Sequence, residues 1–119
     1  MKTGEKIVAA AAIAIIAAVA YGFIAAQSAA EYYDGASPVM YFHSAACHFC
    51  QEQKAVLAQL SAKGYRVKSM DVGITPGYWQ EYGISGTPTF LAANGDTKVG
   101  LTPKEELEPW LEAHGAKIK

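Results

Sequence analysis

Residues 38–50 read PVMYFHSAACHFC, and their pattern indicates how the domain is built. Val39–His43 is rich in β-forming residues and is long enough for a buried central strand. A short turn leads to two cysteines spaced C-x-x-C, Cys47 and Cys50, and the apolar periodicity of residues 51–63 predicts a helix directly after them. The order strand, C-x-x-C, helix therefore places the first cysteine at a helix N-terminus.

That junction favours redox chemistry. Unpaired backbone N–H groups and the helix dipole stabilise an anion at a helix N-terminus, and the thiolate anion is the form of cysteine that attacks a disulfide. Two intervening residues leave the second thiol within bonding distance of the first. The sequence predicts Cys47 as the exposed nucleophile and Cys50 as the more buried resolving thiol.

The composition of the chain narrows the possible functions of the two cysteines. With two cysteines in the chain, a four-thiolate zinc site is excluded, and the pair is too close in sequence to be an effective structural staple. One alternative class is the handling of a soft metal such as Cu(I), held by the cysteines with His48 or His43. Another is an accessory subunit of a membrane complex. The net charge of −1 indicates no basic surface for nucleic acid.

The rest of the chain predicts an α/β domain. Its elements come in the order strand, helix, strand, helix, hairpin, helix, which gives a central mixed sheet of about four strands with helices on both faces. Pro109 should kink or shorten the last helix. The remaining predicted elements are a strand over 65–72, a helix over 75–82, a hairpin of 89–93 and 97–99 around Asn94-Gly95, and a last helix starting with the capping box Thr102-Pro103-Lys104-Glu105.

The N-terminus predicts export. Residues 7–26 form an uncharged apolar run that is long enough to cross about 30 Å of hydrocarbon as a helix. Lys2 and Lys6 precede the run, so the positive-inside rule places Met1 in the cytoplasm and the domain outside it. We expect a single-pass anchor in a bacterial-type inner membrane with a periplasmic domain; the alternative is a signal peptide, cleaved to release a secreted protein. The predicted division is 1–27 anchor or signal, 28–37 linker and 38–119 domain.

A second group of motifs carries a family resemblance. Residues 82–89, YGISGTPT, together with Asn94-Gly95 and Lys98-Val99-Gly100, closely resemble thioredoxin, and the resemblance extends over about residues 39–113. It implies a thioredoxin-like fold, here shortened at its N-terminus, and a protein-disulfide oxidoreductase that needs no cofactor. It also implies a cis bond before Pro88, beside the redox pair, and backbone groups of Thr87 that bind an extended substrate. The expected partners are thiols and disulfides of exported proteins, or a membrane redox partner.

The sequence departs from the family near the cysteines. Ala46 stands where thioredoxins usually have Trp, and Tyr41 stands where they bury an Asp that accepts the proton of the resolving thiol. His48 resembles the histidine between the cysteines of periplasmic disulfide oxidases. A positive charge there would stabilise the Cys47 thiolate and make the disulfide more oxidising. The direction of the reaction stays open, and we interpret His43 as a residue at the edge of the core.

Overall fold

A four-stranded mixed sheet organises residues 31–118, which are the residues that the computed structural model describes. The spatial order is β2-β1-β3-β4; β1 is parallel to β2, and β3 is antiparallel to both β1 and β4. This confirms the predicted mixed sheet. The strands are β1 (Val39–His43), β2 (Lys68–Asp71), β3 (Thr89–Ala92) and β4 (Thr97–Val99).

Three helices cover the sheet unequally. They are α1 (His48–Ser61), α2 (Tyr78–Glu81) and α3 (Lys104–Ala113). The two longer helices, α1 and α3, supply leucines to one face of the sheet, whereas α2 and the residues after it supply aromatic rings to the other. The resulting arrangement is the thioredoxin-like α/β fold that the sequence predicts.

The larger core lies under α1 and α3. Tyr41 and Phe90 point from the sheet into a set of fully buried leucines, because alternate residues of a strand face the same side. Burying one such leucine contributes about 1.5–3 kcal/mol. These leucines are Leu57 and Leu60 of α1 and Leu107 and Leu111 of α3.

The smaller core lies on the opposite face. Phe42, Met70 and Val72 are buried there, and the rings of Tyr78 and Tyr82 pack against them. The Phe42 ring lies 5.2 Å from that of Tyr82 and 6.4 Å from that of Tyr78, measured between centroids. Tyr78 of the four-residue helix and Tyr82, its C-cap residue, therefore help to close this side.

Two predicted helix starts are wrong. Thr102 does not cap α3: its hydroxyl donates to the Gly100 carbonyl oxygen, 3.1 Å away, and the N-cap residue is Pro103, which has no side-chain cap bond. The short helix begins at Tyr78 rather than near Thr75, with Gly77 as its N-cap. Before α2 a backbone turn, closed by Tyr78 N–H donating to the Thr75 carbonyl oxygen, takes the place of the hydroxyl cap, whereas before α3 the hydroxyl bonds to Gly100 instead.

Proline does not end the last helix. α3 continues through Pro109 to Ala113. The N–H that proline lacks would have bonded to the carbonyl of Glu105, in the exposed first turn, where water replaces the lost donor at little cost. The expected shortening is therefore wrong.

The segment before β1 contacts the open edge of β2. Val67 N–H donates to the Tyr32 carbonyl oxygen at 2.8 Å, and Asp34 N–H donates to the Val67 carbonyl oxygen at 2.9 Å. Within residues 31–118, no helix has the length and apolar character needed to cross a membrane. The predicted anchor or signal, residues 1–27, lies outside the described residues.

Candidate active site

The two cysteines form a disulfide at the start of α1. Cys47 is the N-cap residue, and its Sγ accepts the N–H of Cys50 at 3.1 Å. Cys47 is partly exposed, whereas Cys50 is fully buried. One sulfur is therefore accessible to a partner, and the other lies behind it.

The local sequence explains why Cys47 occupies this position. β1 ends at His43, and the following turn is closed by Cys47 N–H donating to the Ser44 carbonyl oxygen at 3.2 Å. The helix then starts at His48 with no acidic side chain in its first turn. Because no carboxylate neutralises the positive end of the helix dipole, a thiolate at Cys47 is stabilised there.

Thr87 and Pro88 lie at the same end of the sheet as Cys47. Phe42 of β1 is paired with Thr89 of β3, so the residues just before Thr89 approach the turn that leads into Cys47. The Thr87–Pro88 bond is cis, the geometry that the resemblance implies. Pro88 is buried, and its carbonyl oxygen accepts the N–H of Gly100 at 2.8 Å.

Aromatic rings lie on β1 behind the redox pair. The Tyr41 hydroxyl donates a long hydrogen bond, 3.4 Å, to the Cys50 carbonyl oxygen. Its ring stacks on Phe90 and on His43, each at 4.9 Å between centroids. Burial raises the pKa of Tyr41 far above its ordinary value, so its hydroxyl stays protonated. Tyr41 can therefore donate a hydrogen bond beside Cys50 but cannot act as a base.

The residues between the cysteines face solvent. His48 and Phe49 are exposed, and their rings meet edge to face at 5.6 Å between centroids. Phe49 exposes 56% of its surface. His48 is therefore placed beside Cys47 in sequence and on the open side of the site, and its tuning of the thiolate stays a prediction.

One structural residue of the site escaped sequence reasoning. Gln53 is fully buried in α1; its amide nitrogen donates to the Thr102 carbonyl oxygen at 3.0 Å, and its amide oxygen accepts the Thr102 N–H at 2.7 Å. This pair of bonds ties α1 to the segment that continues from Gly100. A glutamine in a helix carries no sequence signal of burial, because most are exposed.

Metal binding finds no support in the described residues. Within residues 31–118, no three side chains of the types His, Cys, Asp and Glu come close enough together to hold a metal ion. The two cysteines are bonded to each other. The metal-handling alternative thus gains nothing from the geometry.

Comparisons with known proteins identify the fold. No protein-family model matches this chain, and no curated protein matches it either. Among solved structures, the chain is similar to a thioredoxin from Malassezia sympodialis, with 26% identity and a TM-score of 0.56 over 71% of this chain and 80% of that one. It is also similar to a mutant thioredoxin from Halobacterium salinarum, with 24% identity and a TM-score of 0.57 over 67% of this chain and 77% of that one.

A third similar chain comes from structural work on a yeast mitochondrial 1-Cys peroxiredoxin, with 21% identity and a TM-score of 0.53 over 63% of this chain and 76% of that one. In this chain the sheet leads into α1, which begins at the Cys47–Cys50 disulfide. The fold, the site and these comparisons together show a thioredoxin-like protein whose C-x-x-C pair forms a disulfide.

Proposed function

We propose that this chain is a thiol–disulfide oxidoreductase that exchanges its Cys47–Cys50 disulfide with cysteines of protein substrates. The observation that carries the proposal is the asymmetry of the pair, with a partly exposed Cys47 at a helix N-terminus and a fully buried Cys50 behind it. A structural disulfide needs no accessible sulfur. An exchange reaction does, because a partner sulfur must approach one cysteine in line.

The reaction proceeds through a mixed disulfide. A substrate thiolate attacks the Cys47 sulfur, a new S–S bond forms between them, and Cys50 leaves as a thiolate. A second substrate thiolate then attacks its partner sulfur and releases Cys47, so that one substrate disulfide and one Cys47–Cys50 dithiol result. Run in reverse, the same steps reduce a substrate. The reduction potential of the pair relative to its surroundings sets the direction.

The surface around Cys47 suits an extended, partly apolar substrate segment. Phe49, two residues after Cys47, exposes 56% of its surface. Among the loop and turn hydrogen bonds within residues 31–118, Gly100 bonds to Pro88 and none involves Thr87. The backbone of Thr87 thus has the capacity to pair with a peptide by strand addition.

The proposed substrates are exported proteins or a membrane redox partner. This part of the proposal is supported by the sequence, in which the charge-free run of residues 7–26 follows Lys2 and Lys6. A disulfide also persists most readily in an oxidising compartment such as the periplasm. The domain would then meet substrates whose own cysteines are forming disulfides.

Trapping of mixed disulfides tests the proposal. In a Cys50→Ser variant the partner bound at Cys47 cannot be displaced, so we expect covalent adducts with a cysteine-containing peptide that are released by a reducing agent. A Cys47→Ser variant should give no adducts, because Cys50 is buried. Gel shift and mass spectrometry read out both variants. Equal trapping by the two variants would contradict the assignment of roles, and no trapping by either would contradict the function.

A further inference from the structure

Cys50 needs a proton acceptor that solvent cannot supply directly. In the reduced protein, Cys50 must lose its proton to attack a mixed disulfide at Cys47, because the thiolate is the nucleophile. Its side chain is fully buried. Tyr41, the nearest hydroxyl along β1, is held in its protonated form by burial, which raises its pKa. An acceptor must therefore lie elsewhere in the buried surroundings of the pair.

His43 is the next side chain on the same face of β1. It is 6% exposed, and its ring stacks on that of Tyr41 at 4.9 Å between centroids. Tyr41 in turn reaches Cys50 through its hydroxyl, 3.4 Å from the Cys50 carbonyl oxygen. His43 therefore packs against the aromatic side chain that hydrogen-bonds to the backbone of Cys50.

The hydrogen bonds of His43 indicate which ring nitrogen is free. Nε2 lies 2.7 Å from the Ser69 hydroxyl and 3.4 Å from the Tyr33 hydroxyl, whereas Nδ1 is buried without a hydrogen-bond partner among residues 31–118. A proton on Nδ1 would leave a buried N–H without an acceptor, which is costlier and rarer than an unpaired acceptor. Nε2 therefore carries the proton and donates it to Ser69, and Nδ1 presents a free lone pair.

The charged and titratable groups around His43 keep the ring neutral. They are Lys54 from α1, Asp71 from β2, Tyr41 from β1 and, from the segment before β1, Tyr33. Burial, followed by the positive charge of Lys54, lowers the pKa of His43, and Asp71 opposes this. Burial raises the pKa of Tyr33, so that hydroxyl stays neutral too.

We propose that Nδ1 of His43 accepts the proton of Cys50 when the reduced protein resolves a mixed disulfide. This inference rests on the proposed function. The S–H bond of Cys50 breaks, the proton passes through a water relay, and an N–H bond forms at Nδ1. The Cys50 thiolate then forms an S–S bond with Cys47 and expels the substrate as a thiolate, which later takes up a proton from solvent as His43 returns its own to solvent.

A titration without substrate tests the proton transfer. In the full chain carrying Cys47→Ser, ultraviolet absorbance follows ionisation of the single thiol, Cys50, as the pH is raised. We expect its thiolate to appear at lower pH when His43 is present than in a His43→Gln variant, which keeps a hydrogen-bonding amide but no base. His114→Gln is the matched control and should leave the titration unchanged, because His114 lies at the other end of the sheet beside Asp96.

The rate of resolution gives the second test. We expect His43→Gln to slow release of a peptide from its mixed disulfide roughly 100-fold near neutral pH, the scale of general base catalysis. The rate should recover in alkaline solution, where Cys50 ionises unaided. A loss of equal size at every pH would show a merely structural role and overturn the proposal, as would an unchanged rate.

Two further measurements keep the proposal falsifiable. If His43→Gln does not fold, NMR titration of His43 in the reduced chain and in a Cys50→Ala variant replaces it; identical midpoints would overturn the coupling. If the wild-type chain forms no mixed disulfide at all, the proposed function fails. The Cys50 titration still decides the role of His43, so the two failures are distinguishable.

Discussion

The two ends of the sheet are joined to the helices by different kinds of contact. At the end where β1 leads into Cys47, Gln53 bonds to Thr102 from a fully buried position. At the opposite end, near the turn between β3 and β4, His114 of the α3 C-terminus contacts the exposed Asp96 at 2.9 Å. Lys63, just beyond α1, contacts Glu108 at 3.0 Å with half of its side chain exposed.

This difference in contacts indicates which end of the sheet responds to the pH and salt concentration of the solution. Neutral hydrogen bonds in the interior are little affected by pH or salt, whereas exposed ion pairs are screened and titrate. The redox end is therefore held by contacts that stay constant while the solution changes. We expect the distal end to carry most of the pH and salt dependence of stability that arises from these contacts.

The largest effect is expected at Gln53. Replacing it with Ala leaves the N–H and C=O of Thr102 unpaired and opens a cavity between α1 and the segment after Gly100. Each of the two unsatisfied buried groups costs about 1–3 kcal/mol, so we expect a loss of about 2–6 kcal/mol in the free energy of unfolding. Urea unfolding at several pH values measures it, and the loss should be the same at each.

Gln59→Ala is the matched control, since Gln59 is an exposed glutamine on the same helix. It should change stability by less than about 0.5 kcal/mol. If the two variants lose equal stability, the buried bonds do not hold the redox end, and the contrast between the two ends fails.

The next effect concerns His114 and Asp96. The hydrogen bond to Asp96, followed by that to the Trp110 carbonyl oxygen, raises the pKa of His114 above its ordinary 6.5. The bond from His114 also lowers the pKa of Asp96 below its ordinary 3.8. The pair's contribution is therefore fully present between pH 3.8 and 6.5 and is lost as the pH rises through the higher pKa of His114. It is likewise lost as the pH falls through the lowered pKa of Asp96.

Asp96→Asn should remove this dependence. We expect the variant to be less stable than wild type between about pH 4 and 6.5, by less than the Gln53 loss, and to approach wild type at higher pH. Thermal unfolding across the pH range measures the difference, with His114→Gln as the companion variant. A difference between Asp96→Asn and wild type that stays constant from about pH 5 to about pH 9 would show that the contact does not titrate.

The smallest effect is expected for Lys63 and Glu108. An exposed pair of this kind contributes about 0.5 kcal/mol, and salt screens it. A double-mutant cycle of Lys63→Met and Glu108→Gln, measured at low and high salt, isolates the coupling. A coupling that does not fall with added salt would place this pair with the buried contacts and weaken the contrast.

The sequence predicts the fold well because several of its signals are local. β1 and the hairpin around Asn94-Gly95 lie as expected, since β-forming residues and turn glycines act within a few positions. Gly64 and Gly95 have positive φ, as a helix end and a tight turn require. The starts of α2 and α3 were not predicted correctly, because a capping pattern names a hydroxyl without showing that Gly100 will compete for it.

The sequence predicts the chemistry of the site but not the contacts that surround its residues. The sequence itself shows the C-x-x-C spacing, its position before a helix and the departure from thioredoxins at Tyr41. The Ser69 contact of His43 and the unpaired Nδ1 are not visible in it, because they depend on which strand lies beside β1 and on Ser69 reaching the other ring nitrogen. Contacts between residues far apart in sequence leave no local pattern.

The outer strand of the sheet limits self-association. β4 has three residues, carries Lys98 at its centre and is followed at once by Gly100, whose φ of 86° turns the chain away. An edge this short, interrupted by a charge, offers few backbone groups to the edge of another molecule. At the other edge, Tyr33 already pairs with Val67 beside β2. The domain exposes the apolar side chain of Phe49 next to its redox pair, yet both edges of its sheet are in this way protected against aggregation.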